Sequence, residues 1–480
     1  MNKKLVFATL AKLMLLVAGL MLPCLLVSVI YSDGQWKAFL ESMGIIIVVA
    51  LPPVLLIKPD NKQIYTRDGM AIAGLCWLFM SVAGALPLVL GGTCNFIDGF
   101  FEIASGFTTT GATIMTDIAG LPQSINFLRS FSHWIGGMGV LVLTTAILPS
   151  ANGSGASLAK AESSGPSYSK LLPKVGDNSK LLYMIYTGLT VLLFISLLIC
   201  GLPVFDSILH AFSTAGTGGF SNQAQSIFDY HSTAVDIVIS VFMLLFGVNF
   251  AVYFRLLARD YKTAFKNEEL WLYVGLSALS VLIIALNIRN IIGGFFPALE
   301  HSFFQVGAII STTGFASYDF ETWPTLSKAI IMLLMLFGSC AGSTAGGLKL
   351  IRVLLLLKLA KREIGKSFAP RKVKVIKLDG KSVSEDMLNR IAVYFFVYIG
   401  IILFGVLVLA LSGCTVTEAV SGSISCVSNI GPAFERLGPM AGYNWLPGWT
   451  KIVLSLLMIA GRLEIYPLLM LFAPSAWRKN

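Results

Sequence analysis

Ser311-Thr312-Thr313-Gly314 is one of four short polar segments of this chain that end in glycine and lie between two long apolar stretches. The other three are Thr108-Thr109-Thr110-Gly111, Ser213-Thr214-Ala215-Gly216 and Ser428-Asn429-Ile430-Gly431. Their glycines are 105, 98 and 117 residues apart (216 − 111, 314 − 216 and 431 − 314). Four repeats of helix, re-entrant loop and helix can surround one pore with fourfold pseudo-symmetry, so the pattern predicts a membrane pathway for cations.

The composition is typical of a membrane protein. The mean hydropathy is +0.79, 56% of the residues are hydrophobic and 12% are charged, which excludes an ordinary soluble domain. The first apolar stretch is expected to be retained, because it is too long for a signal peptide and no small-x-small cleavage site follows it. Ten transmembrane spans are predicted, at residues 8–30, 41–57, 69–90, 127–148, 181–204, 233–256, 270–292, 328–357 (interrupted), 388–411 and 450–471.

Lysine and arginine predict the orientation, because they are concentrated in cytoplasmic loops. If the N-terminus is inside, the basic residues fall mostly in the inner loops, and the run 349–381 alone holds eleven of them. Both termini are therefore predicted to be cytoplasmic and all four glycine segments to lie outside. The net charge of +10 follows from this topology, so no nucleic-acid partner is needed to explain it. The basic run is expected to face the anionic lipid bilayer, with a docking surface for a regulatory subunit as the alternative.

A short amphipathic stretch precedes each glycine segment, and each stretch begins with a carboxylate. An acidic residue favours a helix N-terminus, so each stretch is predicted to be a pore helix whose negative C-terminal end attracts a cation. The glycines permit the backbone dihedrals that direct carbonyl groups at an ion. Four extracellular hairpins with ordinary helix caps are the alternative. The four stretches are residues 98–107, 206–212, 300–310 and 418–427.

Residues 338–347 interrupt the second apolar stretch of the third repeat with a run of small residues. Glycine destabilises a helix, so a non-helical loop below the filter is predicted, which can block or open the path. A seam of small residues that lets helices pack closely is the alternative. The candidate gate residues in this segment are Gly338, Gly342, Ser343, Thr344, Gly346 and Gly347.

Arg462 lies within the last predicted span, where a charge is costly and usually functional. A positive charge below a cation filter raises the barrier to passage and limits conduction. The alternative is a structural salt bridge with Glu464 or another buried carboxylate. Arg462 and Glu464 are two residues apart and point to different faces of a helix, and the two roles are compatible.

These elements predict an all-α polytopic membrane protein. Four helix–pore-loop–helix repeats surround one pore with fourfold pseudo-symmetry, and two further transmembrane helices precede them. The predicted boundaries are 1–67 for the N-terminal helices, 68–150 for repeat 1, 151–180 for a cytoplasmic linker, 181–266 for repeat 2, 267–381 for repeat 3 with its interrupted helix and basic segment, and 382–480 for repeat 4.

The chain resembles the Trk/Ktr/HKT superfamily of potassium transporters along essentially its whole length. The resemblance is carried by the four glycine segments, the glycine-rich interruption and the motif Gly461-Arg462-Leu463-Glu464. The two additional N-terminal spans make it most similar to the TrkH-type subunits of bacterial Trk systems. By this resemblance, the four glycine segments form a K⁺ selectivity filter, residues 338–347 form the gating loop and Arg462 is the intramembrane barrier.

The resemblance also implies a context. Members form homodimers in the bacterial inner membrane, and each protomer has its own pore for K⁺ and Rb⁺. A cytosolic RCK-type nucleotide-binding subunit, called TrkA in the Trk system, regulates them. The fourth loop departs from the pattern at Pro432, which lacks an N–H group and fixes its own dihedral, so that quarter is expected to differ in shape.

Two other functions are weighed against a passive potassium pathway. A proton- or sodium-coupled symporter needs titratable groups in the path, and the candidates are few: His133, His210 and Glu464. A membrane-embedded enzyme or assembly factor needs a catalytic or metal-binding set, and the four histidines form no such pattern. We therefore expect no enzyme, no catalytic residue and no cofactor beyond K⁺ as the transported ion.

Overall fold

The computed structural model describes residues 1–58, 64–139, 175–369 and 374–477, and its regular structure is almost entirely helical. The predicted all-α class is confirmed. Two N-terminal spans come first: Lys3–Leu20 with Leu22–Tyr31, joined at Met21, and Trp36–Leu56. The predicted linker 151–180 lies mostly outside the described residues, and a helix begins within it at Val175.

Four repeats follow, and each has a long first helix, a short pore helix and a second helix. The first helices are Thr66–Leu90, Val175–Ile199, Glu268–Ile292 and Glu385–Leu411. The pore helices are Phe96–Phe107, Val204–Gly216, Phe295–Ile310 and Val416–Ser428. The second helices are Gln123–Met138, Thr233–Phe246 with Phe250–Leu257, Thr325–Leu336 with Leu350–Phe368, and Gly448–Arg462 with Tyr466–Phe472.

Short elements complete the described chain. A small antiparallel hairpin lies between repeats 3 and 4, with Leu378 opposite Lys381. Its strands are Lys377–Leu378 and Lys381–Ser382. The remaining elements are the α-helix Tyr261–Phe265 and the 3₁₀ turns Ser226–Tyr230, Phe320–Thr322, Glu435–Leu437 and Pro474–Trp477.

The second helices of repeats 2 and 4 are broken where hydropathy predicts continuous spans, and the interruption predicted in repeat 3 is present between Leu336 and Leu350. Six of the ten predicted spans are helices of 21 to 29 residues that are apolar enough to cross a bilayer, and they are the two N-terminal spans and the four first helices. The second helices are shorter or broken, and that of repeat 2 bends by 92° after Phe246. In repeat 4 the break follows Arg462, where Glu464 and Ile465 have φ values of 54° and 72°. Such breaks are tolerated where other parts of the protein satisfy the backbone.

The pore helices begin as predicted in three repeats. Asp98, Asp206 and Glu418 are each in the first turn of their helix, where a carboxylate interacts favourably with the helix dipole. Glu418 also forms a capping box with Thr415. The prediction is wrong for repeat 3, because the pore helix begins at Phe295, before Glu300, and its first turn contains no acidic residue.

A buried ion pair joins the first two repeats. Arg129 on the second helix of repeat 1 contacts Glu102 on the pore helix at 2.8 Å, and the two side chains are 1% and 0% exposed. The Arg129 guanidinium also lies 4.2 Å from the ring centroid of Phe220 and donates to the Ser221 carbonyl at 3.1 Å, both in repeat 2. Glu102 accepts in turn from the Ile114 N–H at 2.9 Å. The pair therefore connects two loops that follow the pore helices.

Replacing Arg129 by a neutral residue should destabilise the protein, because it leaves the Glu102 carboxylate buried without its partner. We expect Arg129→Met to cost about 3–5 kcal/mol, as is usual for breaking a buried pair. Thermal unfolding of the purified protein in detergent measures the effect. The control is Lys328→Met, which breaks a half-exposed pair with Glu321 and should shift the midpoint little. Equal shifts in the two variants would contradict the assigned role of Arg129.

Candidate ion pathway

The four glycine loops meet in a closed ring. One glycine of each loop has a left-handed backbone, with φ of 81° at Gly111, 79° at Gly219, 78° at Gly314 and 102° at Gly431. Each glycine is packed against the carbonyl of a residue in the next repeat, so closely that a Cβ atom would collide with it. The contacts run from Gly111 to Gly218, from Gly219 to Thr313, from Gly314 to Ile430 and from Gly431 to Thr110. The fourth contact returns to repeat 1, so the loops enclose a common axis.

The second loop differs from the predicted register by three residues. Gly216 is the last residue of the pore helix, and a Cβ there would collide with the carbonyl of His133. Gly219 takes the place in the ring that the sequence pattern assigned to Gly216. Ser213, Thr214 and Ala215 accordingly belong to the end of the pore helix. The loop segment equivalent to the other three is residues 216–219.

Backbone hydrogen bonds support the new register. The residue before the ring glycine donates its N–H to a carbonyl five positions earlier in every repeat. The four pairs are Thr110 to Ser105 at 2.9 Å, Gly218 to Ser213 at 2.9 Å, Thr313 to Ala308 at 2.8 Å and Ile430 to Ser425 at 2.9 Å.

One sequence signal identifies this register. In repeats 1, 2 and 4 the carboxylate of the pore helix precedes the ring glycine by 13 residues (111 − 98, 219 − 206 and 431 − 418). With Gly216 the spacing in repeat 2 is only 10 (216 − 206). The distance from helix start to glycine is set by the length of the pore helix, so it is a better guide than the local Ser/Thr-x-x-Gly pattern.

A second left-handed residue precedes each ring glycine by two positions. The φ values are 55° at Thr109, 56° at Thr217, 57° at Thr312 and 58° at Asn429. Alternation of left-handed residues turns successive carbonyl groups towards one side of the chain, which is the backbone form that a carbonyl-lined filter needs. All four residues are fully buried. The loops are therefore enclosed within the protein.

The ring is the floor of a cavity of about 270 Å³. All four ring glycines line it, whereas Gly216 does not. Tyr443 from the loop after the fourth pore helix donates its hydroxyl to the Gly431 carbonyl at 2.9 Å. The expected deviation of the fourth loop is seen in the φ of Gly431, which exceeds those of the other three ring glycines, and in Pro432, whose Cδ atom packs against Gly314.

On the other side of the ring lies the glycine-rich segment, which is non-helical from Phe337 to Lys349. This rules out the alternative of a seam within a continuous helix. The segment folds back on itself, since the Gly338 N–H donates to the Leu348 carbonyl at 2.8 Å. The Gly346 N–H donates to the Thr312 hydroxyl at 2.8 Å, and a Cβ at Gly346 would collide with the Ser428 carbonyl. The segment, here called the intramembrane loop, therefore closes against two of the ring loops.

Arg462 holds this loop to the first repeat. Its guanidinium donates to the carbonyl of Thr344 at 2.6 Å, and to those of Gly136 and Gly137 at 2.5 and 2.6 Å. The alternative of a bridge to Glu464 is not what the structure shows, because Glu464 instead pairs with Arg352 at 2.5 Å. Arg462 thus connects three of the four repeats directly below the ring.

A smaller cavity of about 130 Å³ lies at the intramembrane loop. The predicted gate residues Gly342, Ser343, Gly346 and Gly347 line it together with Arg462. Lys349 also lines it and donates to the Ala345 carbonyl, although only 1% of this lysine is exposed. In the sequence, Lys349 is merely the first residue of the basic run, and only its position directly after the glycines distinguishes it.

The two histidines near the ring have structural partners. His133 binds the Gly106 carbonyl through Nδ1 at 2.7 Å and accepts from the Phe220 N–H through Nε2 at 3.2 Å. His210 binds the Asp206 carbonyl and the Ser221 hydroxyl. Within the described residues, no group of three or more His, Cys, Asp or Glu side chains is arranged to hold a metal ion.

Comparison with known proteins agrees with this architecture. The family model TrkH, described as a cation transport protein, matches residues 37–291 and 297–479. The Trk system potassium uptake protein TrkH of Halomonas elongata is 33% identical over 489 residues, which cover all of both chains. The protein of the same name from Salmonella typhimurium is 33% identical over 97% of this chain and 98% of its own.

A solved structure is similar along the entire chain. The crystal structure of the potassium transporter TrkH from Vibrio parahaemolyticus superposes with a TM-score of 0.89 at 29% identity, and the match covers 100% of both chains. The family model covers the ring and the intramembrane loop, and the full-length relatives also cover the N-terminal helices. This chain belongs to the TrkH family of cation transport proteins.

Proposed function

We propose that this chain is the potassium-translocating subunit of a bacterial Trk-type uptake system and moves K⁺, and Rb⁺, inward. The observation that carries the proposal is the closed ring of Gly111, Gly219, Gly314 and Gly431. A ring of backbone carbonyls replaces the hydration shell of a cation without a charged ligand. The full-length relatives are named potassium uptake proteins, which supports K⁺ as the ion.

The filter is assigned to four segments, with repeat 2 in its corrected register. They are residues 108–111, 216–219, 311–314 and 428–431. The C-terminal ends of the four pore helices are directed at this region, and their negative dipole ends stabilise a cation there. No catalytic residue or cofactor is assigned, and K⁺ is the transported ion.

The intramembrane loop is assigned as the gate, and the hydrogen bonds of Arg462 are assigned to hold it closed. The hydrogen bond from Gly346 to Thr312 supports a position of the loop backbone directly behind the filter. The hydrogen bond from the Arg462 guanidinium to Thr344 supports a positive charge at the same level. A cation leaving the filter meets both a steric and an electrostatic barrier. Opening the path requires these hydrogen bonds to break together.

The cellular setting is proposed from the charge pattern and the family. The excess of Lys and Arg in the predicted inner loops supports an inner-membrane protein with both termini in the cytoplasm. A homodimer with one pore per protomer, and a cytosolic RCK-type nucleotide-binding subunit of the TrkA kind, complete the proposed assembly. Passive permeation is proposed rather than coupling to H⁺ or Na⁺, because the two candidate histidines, His133 and His210, are held in structural hydrogen bonds.

The filter assignment predicts that a side chain at a ring glycine alters ion selectivity. Gly111→Ser and Gly219→Ser should each lower the preference for K⁺ over Na⁺ by at least about tenfold, since a change of ~1.4 kcal/mol in relative binding suffices. Rubidium-86 uptake into K⁺-loaded proteoliposomes, in competition with external K⁺, Na⁺ and Li⁺, measures this preference.

The matched control for these variants is Gly413→Ser. Gly413 also has a left-handed backbone, with φ of 82°, but the space that a Cβ atom would enter is open, with no neighbouring group within 4 Å. It therefore shares the strain of a substituted glycine without the contact to a filter carbonyl. Wild-type selectivity in the ring variants would argue against the filter, and altered selectivity in Gly413→Ser would show that the effect is not specific.

The gate assignment predicts that loss of the Arg462 side chain raises cation flux. Hydrogen bonds to a charged group contribute about 1.5–3 kcal/mol each, so Arg462→Ala should increase rubidium-86 uptake by the isolated subunit at least about tenfold. Arg462→Gln removes the charge and keeps part of the hydrogen bonding. This variant therefore separates the electrostatic barrier from the effect of the hydrogen bonds that hold the loop. Arg390→Gln, an exposed basic residue, is the control. Reduced flux in a correctly inserted Arg462→Ala protein would assign a purely structural role.

A further inference from the structure

Glu269 is a buried carboxylate that the ion pathway does not use. It is the second residue of the first helix of repeat 3, and 1% of it is exposed. Its Oε1 atom accepts two backbone hydrogen bonds, from the Ala341 N–H at 2.7 Å and the Ile351 N–H at 3.0 Å. Ala341 lies near the start of the intramembrane loop and Ile351 just beyond its end. One oxygen atom therefore holds both ends of the loop together.

The chemistry of this contact favours a carboxylate. Ile351 is the second residue of the helix Leu350–Phe368, where a backbone N–H has no partner within the helix and a negative charge is stabilised by the dipole. Hydrogen bonds to an ionised acceptor are about twice as strong as neutral ones. The Oε2 atom of Glu269 has no hydrogen-bond partner in the described part of the chain. The hydrogen bonds of Glu269 to the rest of the protein are thus directed at the loop.

The neighbouring residue, Glu268, is attached to the small hairpin between repeats 3 and 4. The Asp379 N–H donates to Glu268 Oε1 at 2.9 Å, and the Glu268 N–H donates to Asp379 Oδ1 at 2.9 Å. Lys358 pairs with Glu268 and donates to the Lys377 carbonyl at 2.8 Å. Asp379 is in the turn between the two strands. The hairpin is therefore bonded to the helix end that carries Glu269.

An apolar contact joins the intramembrane loop to the hairpin. Ala341 of the intramembrane loop and Ile351 and Leu355 of the following helix belong to one buried cluster with Leu378 of the hairpin. This cluster is separate from the two larger cores of the protein. The loop and the hairpin consequently share a small core of their own, and movement of one changes the packing of the other.

We propose that Glu269 is the positioning residue of the intramembrane loop. We also propose that displacement of the hairpin, residues 377–382, at the protein surface moves this loop. Displacing the hairpin shifts Glu268 and, through the rigid helix, the adjacent Glu269. The two loop ends then lose their common acceptor and separate. The consequence for ion flux rests on the proposed gate, but the positioning itself does not depend on conduction.

Cys340 is a natural reporter for the position of the loop, because it lies within the loop and is 1% exposed. The full-length protein is prepared with Cys340 as its only cysteine, and its rate of labelling by N-ethylmaleimide is measured. Glu269→Ala should accelerate labelling at least about tenfold, the effect of losing a charge-assisted hydrogen bond. Glu269→Gln, which retains an amide oxygen, should accelerate it less. Asp379→Ala, a change at the protein surface, should accelerate Cys340 labelling several-fold.

Two controls separate positioning from general loosening. Asp386→Ala removes an exposed carboxylate close to the hairpin and should leave the labelling unchanged. A second preparation keeps only Cys426, which is fully buried in the fourth pore helix, and its labelling should remain slow in every variant. Rubidium-86 flux is recorded in parallel. Faster Cys340 labelling without higher flux would retain the positioning role and count against the gate.

Several outcomes would overturn the inference. Unchanged Cys340 labelling in Glu269→Ala would remove the positioning role, and equal acceleration at Cys426 would reduce it to a fold defect. Faster Cys340 labelling in Glu269→Ala, with no change in Asp379→Ala, would refute the proposal that the hairpin moves the loop. Asp379 is at the surface, so its variant keeps the test informative even if Glu269→Ala does not fold.

Discussion

The structure depends on one constraint: polar backbone groups that leave the helical state inside an apolar bundle must find partners within the protein. The four ring loops do so in the middle of the fold. Each loop closes its pore helix with the same N–H to carbonyl bond and rests on the loop of the next repeat, as at Gly431 and Thr110. The contacts of the ring therefore need all four repeats, because each loop packs against the next.

The intramembrane loop meets the same constraint by different means. Repeat 2 supplies main-chain partners, since the Cys340 N–H donates to the Gly247 carbonyl at 3.1 Å and the Phe250 N–H donates to the Gly342 carbonyl at 3.0 Å, and side chains supply further partners. The Thr312 hydroxyl and the Glu269 carboxylate accept from its N–H groups, and Arg462 donates to its Thr344 carbonyl. These side chains come from three separate parts of the chain. The loop is thus held by a mixture of main-chain and side-chain hydrogen bonds, in contrast to the mutual packing of the four ring loops.

The sequence predicts the repeat architecture well, because hydrophobic length and glycine position are local properties. It fails where the decisive quantity is a distance between elements. The second loop contains Gly216, Gly218 and Gly219, and the local pattern cannot decide which of them joins a ring formed with other repeats. The break in the second helix of repeat 3 is predicted from its glycines, whereas the breaks in repeats 2 and 4 are missed, because hydropathy does not register that protein, rather than lipid, surrounds them. Glu102 with Arg129, and Glu269 with Ala341, are paired across 27 and 72 positions, and no periodicity of the chain points to such partners.

The acceptors of Arg462 are main-chain carbonyls, and this has a consequence for evolution. A substitution at Gly136 or Gly137 keeps the carbonyl group but displaces it, because a Cβ atom would lie 1.8 Å from the Phe107 carbonyl oxygen at Gly136 and 2.7 Å from the Cα atom of Gly216 at Gly137. Under the proposed role of Arg462, mutations that weaken this contact are therefore spread over the codon of the donor and those of both acceptor glycines. The close packing of the two glycines leaves a lineage few substitutions there that preserve the contact.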